Sequence, residues 1–113
     1  MVKDWTVENS ENLYNLNGWG LKYFDISADG NLLVRPSRSL ESSIDIKKVV
    51  DDVVARGIKL PMLLRFQDIL KHRVELLNEN FRRAINEHKY QGRYLGVFPI
   101  KVNQLREVVE EIL

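Results

Sequence analysis

The sequence predicts an α/β fold, because strand-like and helical segments alternate along its second half. Apolar runs at residues 61–66 and 94–100 each precede a segment with helical apolar periodicity. The second run does not alternate between apolar and polar residues, as expected for a parallel strand covered on both faces. This order is typical of a parallel sheet or a (β/α)8 barrel. A complete barrel needs roughly 250 residues. The 113-residue chain, which stops at Leu113 within a helical pattern, is therefore expected to be an incomplete domain.

The composition is that of an ordinary globular protein, with 44% hydrophobic and 29% charged residues. Lysine plus arginine number 17 and aspartate plus glutamate 16, a balance that gives no support to nucleic acid or an anionic membrane as the main partner. Cysteine is absent, which excludes disulfides and cysteine nucleophiles from these residues. No apolar run is long enough to span a bilayer, and the start of the sequence, residues 1–5, lacks an apolar signal-peptide core. These features predict a cytoplasmic protein.

The polar start of the chain predicts one short helical stripe formed by Leu13, Leu16 and Trp19. Thr6 or Ser10 is the candidate N-cap, since a hydroxyl can accept a hydrogen bond from the first helical amides.

A hairpin and a linker complete the predicted N-terminal region, residues 1–43. Residues 23–26 and 32–34 are strand-like, and Gly30 lies between them in a turn that favours positive φ. Residues 37–43 are rich in serine and follow a proline, so they are expected to be irregular.

The start of the barrel is assigned to residues 44–113. Its first helix is expected to be capped by Asp45 and stopped by Gly57. The longest helix is predicted at about residues 67–88, from a clear amphipathic stripe. The last helix is expected to begin near Asn103.

Lys101 is the leading candidate for chemistry because it directly follows the apolar run at residues 94–100. Reactive groups of α/β folds lie at the carboxyl ends of their strands. A partly desolvated lysine there has a lowered pKa and acts as an amine nucleophile. The alternative is a solvated lysine that closes a strand, and position alone favours that alternative.

The residues around Lys101 resemble the cofactor-lysine segment of biosynthetic arginine decarboxylases, which use pyridoxal phosphate. That segment lies at residues 96–104 and reads GVFPIKVNQ. Three further segments are similar to the same family: residues 18–25 (GWGLKYFD), 60–70 (LPMLLRFQDIL) and 90–94 (YQGRY). The resemblance covers nearly the whole chain.

The resemblance implies a pyridoxal-phosphate-binding (β/α)8 barrel followed by a β domain. It implies that Lys101 is the catalytic lysine that holds the cofactor as a Schiff base and that Asn103 lies in the cofactor site. The implied reaction converts L-arginine to agmatine and carbon dioxide for polyamine and spermidine biosynthesis. Magnesium and a homo-oligomer with shared active sites are implied for the full-length enzyme. The phosphate-binding and guanidinium-recognising residues are expected downstream, so these 113 residues alone are expected to be inactive.

Several neighbouring residues have more than one interpretation. Asn103 and Gln104 could line the cofactor site, or Asn103 could cap the last helix, and the residues alone favour the cap. Pro99 cannot donate to a strand ladder and could mark a bulge that aims Lys101. Arg65 could face an anion or form a surface salt bridge.

No metal site is predicted. His72 and His88 lie about 160° apart on an ideal helix, too far around it to share an ion. The adjacent acidic pairs at residues 51–52 and 110–111 diverge in direction and are expected on solvated faces.

Two alternatives stay open on the sequence alone. One is another decarboxylase of the same fold group, acting on ornithine or diaminopimelate. The other is a small α/β binding module that docks on a partner and has no reactive lysine.

Overall fold

The computed structural model describes residues 4–113, which divide into two compact units, one that ends at Leu64 and one that spans Arg65–Leu113. The boundary after residue 43 predicted from the sequence concerns the complete protein and stays a prediction. Within residues 4–113, no helix combines the length and the apolar character that a bilayer span needs.

The first unit begins with two short helices, α1 (Val7–Leu13) and α2 (Leu16–Trp19). The predicted cap at Thr6 is confirmed, because its hydroxyl accepts a hydrogen bond from the amide of Asn9 at 3.2 Å. The single predicted stripe is wrong. Asn15 adopts a left-handed conformation with φ 49° and turns the second helix away from the first, so that Leu16 is buried while Leu13 and Trp19 are exposed.

A three-stranded antiparallel sheet follows, formed by β1 (Phe24–Ile26), β2 (Leu32–Val34) and β3 (Ile44–Asp45). The predicted hairpin is confirmed, with Gly30 at φ 83° in its turn. Val34 is fully buried at 0% exposure, and Tyr23 beside it is also buried, so the small core of this unit lies on the sheet.

The segment predicted as an irregular linker is ordered. It contains a 3-10 helix (Leu40–Ser42), and the Ser39 hydroxyl accepts a hydrogen bond from the amide of Glu41 at 3.3 Å. The Ser43 hydroxyl donates to the carbonyl of Leu40 at 3.0 Å. Serine side chains therefore satisfy backbone groups here and make a corner that leads into β3.

The helix α3 (Ile46–Ala55) has both predicted ends. The Asp45 carboxylate accepts from the amide of Lys48 at 3.2 Å, which confirms the N-cap. Gly57 adopts φ 90°, and its amide donates to the carbonyl of Val54 at 2.9 Å. This left-handed glycine closes the helix in a Schellman arrangement.

The second unit contains the long helix α4 (Gln67–Glu87) and the short helix α5 (Arg106–Ile112). The predicted long helix is confirmed, while α5 begins three residues beyond Asn103. Val108 on α5 is 8% exposed and is the buried residue of this unit within the described chain.

Neither apolar run predicted as a parallel strand is paired in the described residues 4–113. The paired strands all lie in the first unit, and residues 62–66 and 93–99 have no ladder hydrogen bonds. A parallel strand is stable only when neighbouring strands satisfy its backbone groups. The mixed α/β character is confirmed, and the barrel stays a prediction.

Candidate functional site

The segment that leads to Lys101 is anchored to α4 by aromatic stacking. The rings of Tyr94 and Phe81 lie 4.0 Å apart between centroids and only 3° from parallel. Beyond this contact, Val97 is 90% exposed, whereas Phe98 is partly buried. The segment is therefore fixed at its start and leaves an apolar side chain in solvent.

Lys101 occupies the third position of a four-residue turn. The amide of Val102 donates to the carbonyl of Pro99 at 2.9 Å and closes the turn, and the amide of Ile100 donates to the carbonyl of Phe98 at 3.0 Å. Pro99 opens this turn, where its missing N–H leaves no donor unsatisfied. The position is well defined by backbone hydrogen bonds.

The Lys101 side chain is exposed and makes no hydrogen bond or ion pair with any residue from 4 to 113. The partial desolvation expected from its sequence position is not seen in this structure. An unengaged primary amine is nevertheless the group that an aldehyde cofactor such as pyridoxal phosphate requires, so Lys101 fits that part of the cofactor's chemistry.

Asn103 lies two residues beyond Lys101 and is partly buried. Its side-chain oxygen accepts from the amide of Leu105 at 3.3 Å, an Asx-type turn placed just ahead of α5. Leu105, and not Asn103, is the N-cap residue of that helix. The cap interpretation is thus wrong in detail, and the amide nitrogen of Asn103 is left available within the described chain.

Two polar contacts hold α5 to the start of α4. The side-chain amide of Gln67 donates to the backbone carbonyl of Glu107 at 3.1 Å. Arg65 Nη1 lies 3.9 Å from Glu107 Oε2, with both side chains at least one-third exposed. The surface salt bridge is therefore the interpretation of Arg65 that the structure supports.

An open apolar groove of about 670 Å³ lies between α4 and residues 94–98. The side chains that line it include Leu70, Val74, Leu77 and Phe98. Lys101 does not line this groove, so the groove and the candidate lysine are separate features of this unit.

Several other titratable groups form pairs on the surface. Asp51 Oδ2 lies 2.5 Å from Lys47 Nζ, and this hydrogen bond raises the pKa of Lys47 above its ordinary value. Arg106 Nε lies 2.7 Å from Glu110 Oε1. The carboxylates of Asp51 and Glu110 were predicted on solvated faces of their helices. Both are more than half exposed in these pairs, each of which joins residues one helical turn apart. Among residues 4–113, no three histidine, cysteine or acidic side chains are grouped to hold a metal ion.

No family model matches the chain. Sequence comparison does find relatives: the chain is 48% identical over 112 residues, or 99% of its length, to the biosynthetic arginine decarboxylase of Thermosynechococcus vestitus. It is 48% identical over 98% of its length to the protein of that name in Geotalea daltonii, and 49% identical over 96% to that in Rhodopirellula baltica. The resemblance to biosynthetic arginine decarboxylases is confirmed.

The chain spans only part of those arginine decarboxylases. It corresponds to 18% of the length of the first two proteins and 16% of the third. All three relatives carry the name biosynthetic arginine decarboxylase.

Two contacts of the arginine decarboxylase-like segment had no signature in the sequence. The bond from Gln67 to Glu107 joins a side chain to a backbone carbonyl 40 residues away. The stacking of Phe81 on Tyr94 depends on the return of the chain after α4. Helical periodicity places the first partner of each pair on a face but does not identify the second.

Proposed function

We propose that this chain is part of a pyridoxal-phosphate-dependent decarboxylase that converts L-arginine to agmatine and carbon dioxide in polyamine biosynthesis. The observation that carries the proposal is the 48% identity over 99% of the chain to a biosynthetic arginine decarboxylase. A similarity of this extent is not expected of an unrelated binding module.

Lys101 is the proposed attachment point of the cofactor. Its amine would form the covalent bond with the aldehyde of pyridoxal phosphate, and the turn from Pro99 to Val102 would fix where that bond forms. Pyridoxal phosphate, when bound, supplies the electron sink for the electron pair left when carbon dioxide departs. The unpaired Lys101 side chain is compatible with this role because no carboxylate within residues 4–113 forms an ion pair with it.

Asn103 is the proposed second residue of the cofactor site. Its oxygen is occupied by the amide of Leu105, so its side-chain orientation is fixed. The amide nitrogen can then donate to an acceptor on the bound cofactor.

The complete enzyme in this proposal contains more than the residues described. It binds magnesium and forms a homo-oligomer, both by family resemblance, and the composition predicts a cytoplasmic location. The 113 residues alone are expected to be inactive.

The test compares Lys101→Ala with the wild type in the full-length protein. We expect the wild type to show the absorbance band of bound cofactor and to release carbon dioxide from arginine. Lys101→Ala should lose the band and reduce carbon dioxide release by several orders of magnitude, because the covalent attachment and its later exchange both need the amine. Borohydride reduction followed by peptide mass analysis would locate the cofactor on the Lys101 peptide.

The matched control is Lys71→Ala, which removes a different exposed lysine, one that lies on α4. It should leave the band and the activity unchanged. If Lys101→Ala keeps the band and turns over arginine normally, the assignment of Lys101 is wrong.

A further inference from the structure

A long-range hydrogen bond of the second unit joins Gln67 to α5. Gln67 is the first residue of α4, and Glu107 is the second residue of α5. Their bond of 3.1 Å and the nearby Arg65–Glu107 pair fix the start of one helix against the start of the other. The burial of Val108 adds an apolar contact at the same place.

Local hydrogen bonds connect this contact to Lys101 almost without interruption. The amides of Val108 and Val109 donate to the carbonyl of Leu105, and the amide of Leu105 donates to the side chain of Asn103. The Pro99–Val102 bond then closes the turn that carries Lys101. Short hydrogen-bonded turns, one of them closed by the Asn103 side chain, therefore occupy most of the chain between Lys101 and α5.

We propose that Gln67 is a positioning residue that sets where Lys101 stands relative to α4. The inference rests on the proposed function of Lys101, since positioning matters only if that amine has a reaction to perform. Gln67 acts at a distance from the amine. Its side-chain amide donates to the Glu107 carbonyl and so fixes α5. The start of α5 in turn fixes Asn103 and the turn that carries Lys101. Covalent attachment is sensitive to such placement because the reacting atoms must meet in a defined geometry.

The test uses the full-length protein with Gln67→Met, which keeps the length of the side chain and removes its donor. We expect the affinity for pyridoxal phosphate to fall roughly three- to tenfold, the effect of losing one hydrogen bond. The absorbance band of the bound cofactor measures this affinity. The maximal rate kcat should fall by a similar factor, while KM for arginine changes little. Gln67→Lys restores a donor of similar reach and should recover most of the cofactor affinity.

The matched control is Asn80→Leu. Asn80 also donates from its side-chain amide to a helix carbonyl, that of Leu76 at 2.8 Å, but this bond stays within α4 and does not reach α5. Asn80→Leu should leave the affinity for pyridoxal phosphate unchanged. If Gln67→Met lowers the unfolding temperature yet leaves cofactor affinity and kcat as in the wild type, Gln67 is structural only and the positioning role is overturned. A wild-type protein with no cofactor band would instead overturn the proposed function itself.

Discussion

Two helices end with the same backbone geometry but carry different residues at the left-handed position. After α3 that position is Gly57 with φ 90°, and after α4 it is Lys89 with φ 50°. In both, the next amides return to carbonyls of the last turn, as for Tyr90 to Ile85 at 3.0 Å. A side chain with a Cβ is strained in this region, whereas glycine is not.

Lys89→Gly should therefore stabilise the end of α4. Relief of the left-handed strain exceeds the extra chain entropy that glycine brings to the unfolded state, for a net gain of about 0.5–1 kcal/mol. Hydrogen exchange of the Tyr90 amide should slow roughly two- to fivefold. Gly57→Ala is the control of opposite sign and should speed exchange of the Ile58 amide. Equal exchange rates in Lys89→Gly and the wild type would mean that the left-handed lysine carries no strain.

Asp45 combines a helix cap with a shifted titration. Its pKa lies below the ordinary value of 3.8, first because the Asn31 amide donates to its carboxylate at 3.0 Å. Partial burial opposes this, and the amide and the ammonium of Lys48 lower the pKa further. A depressed pKa in the folded state means that the ionised carboxylate stabilises the fold above pH 3.8, and that this contribution is lost as the pH falls through the lowered value.

Asp45→Asn should remove this acid dependence, because asparagine still caps a helix but carries no charge. The variant should unfold at a lower temperature than the wild type at neutral pH, and the difference should shrink below pH 3.8. Asn31→Leu tests the cause, since it removes the largest contribution to the lowered pKa. A difference in unfolding temperature that stays constant across this pH range would contradict the assignment.

At the scale of elements, local chemistry made the helix ends and the hairpin predictable. The Asp45 cap, the Gly57 stop and the Gly30 turn each depend on residues a few positions apart. The third strand was missed because its pairing of Ile44 with Val34 depends on a serine-rich corner whose side chains replace backbone partners. A serine-rich sequence predicts irregular structure, and it does not show which serine hydroxyl forms a hydrogen bond with which backbone group.

The candidate site shows the same division between local and distant information. The turn at Lys101 and the Asx turn at Asn103 involve neighbours in sequence, and the family resemblance pointed to both residues. The contact of Gln67 with α5 could not be predicted, because nothing in a helical pattern specifies a partner 40 residues away. The apolar run before Lys101 forms no paired strand within residues 4–113, so its place in a parallel sheet stays a prediction.

For the molecule as a whole, the notable feature is how much apolar surface the described residues leave in solvent. Val97 is 90% exposed, and Leu63 and Val102 are also largely exposed. The apolar groove beside α4 adds to this surface. An apolar groove that is open to solvent is typical of an interaction surface, and it promotes aggregation when it stays uncovered. The relatives are more than five times as long as this chain, and we expect the groove to be covered by further polypeptide in a full-length protein.

The isolated chain should therefore self-associate and bind a hydrophobic dye, whereas the full-length protein should do neither to a comparable extent. Val97→Lys separates the two contexts. In the isolated chain it places a charge on exposed apolar surface and should reduce sedimentation of large species. In the full-length protein, the predicted barrel would bury this run on both faces. The same substitution should there lower the free energy of unfolding by several kcal/mol and reduce the yield of folded protein.

Opposite effects of Val97→Lys in the two contexts would show that residues 94–100 become buried in the longer protein. An isolated chain that is monomeric, leaves the dye unbound and melts cooperatively would show the reverse. Its apolar groove would then need no further polypeptide to cover it. A non-enzymatic binding module would account for the fold better than the start of a barrel.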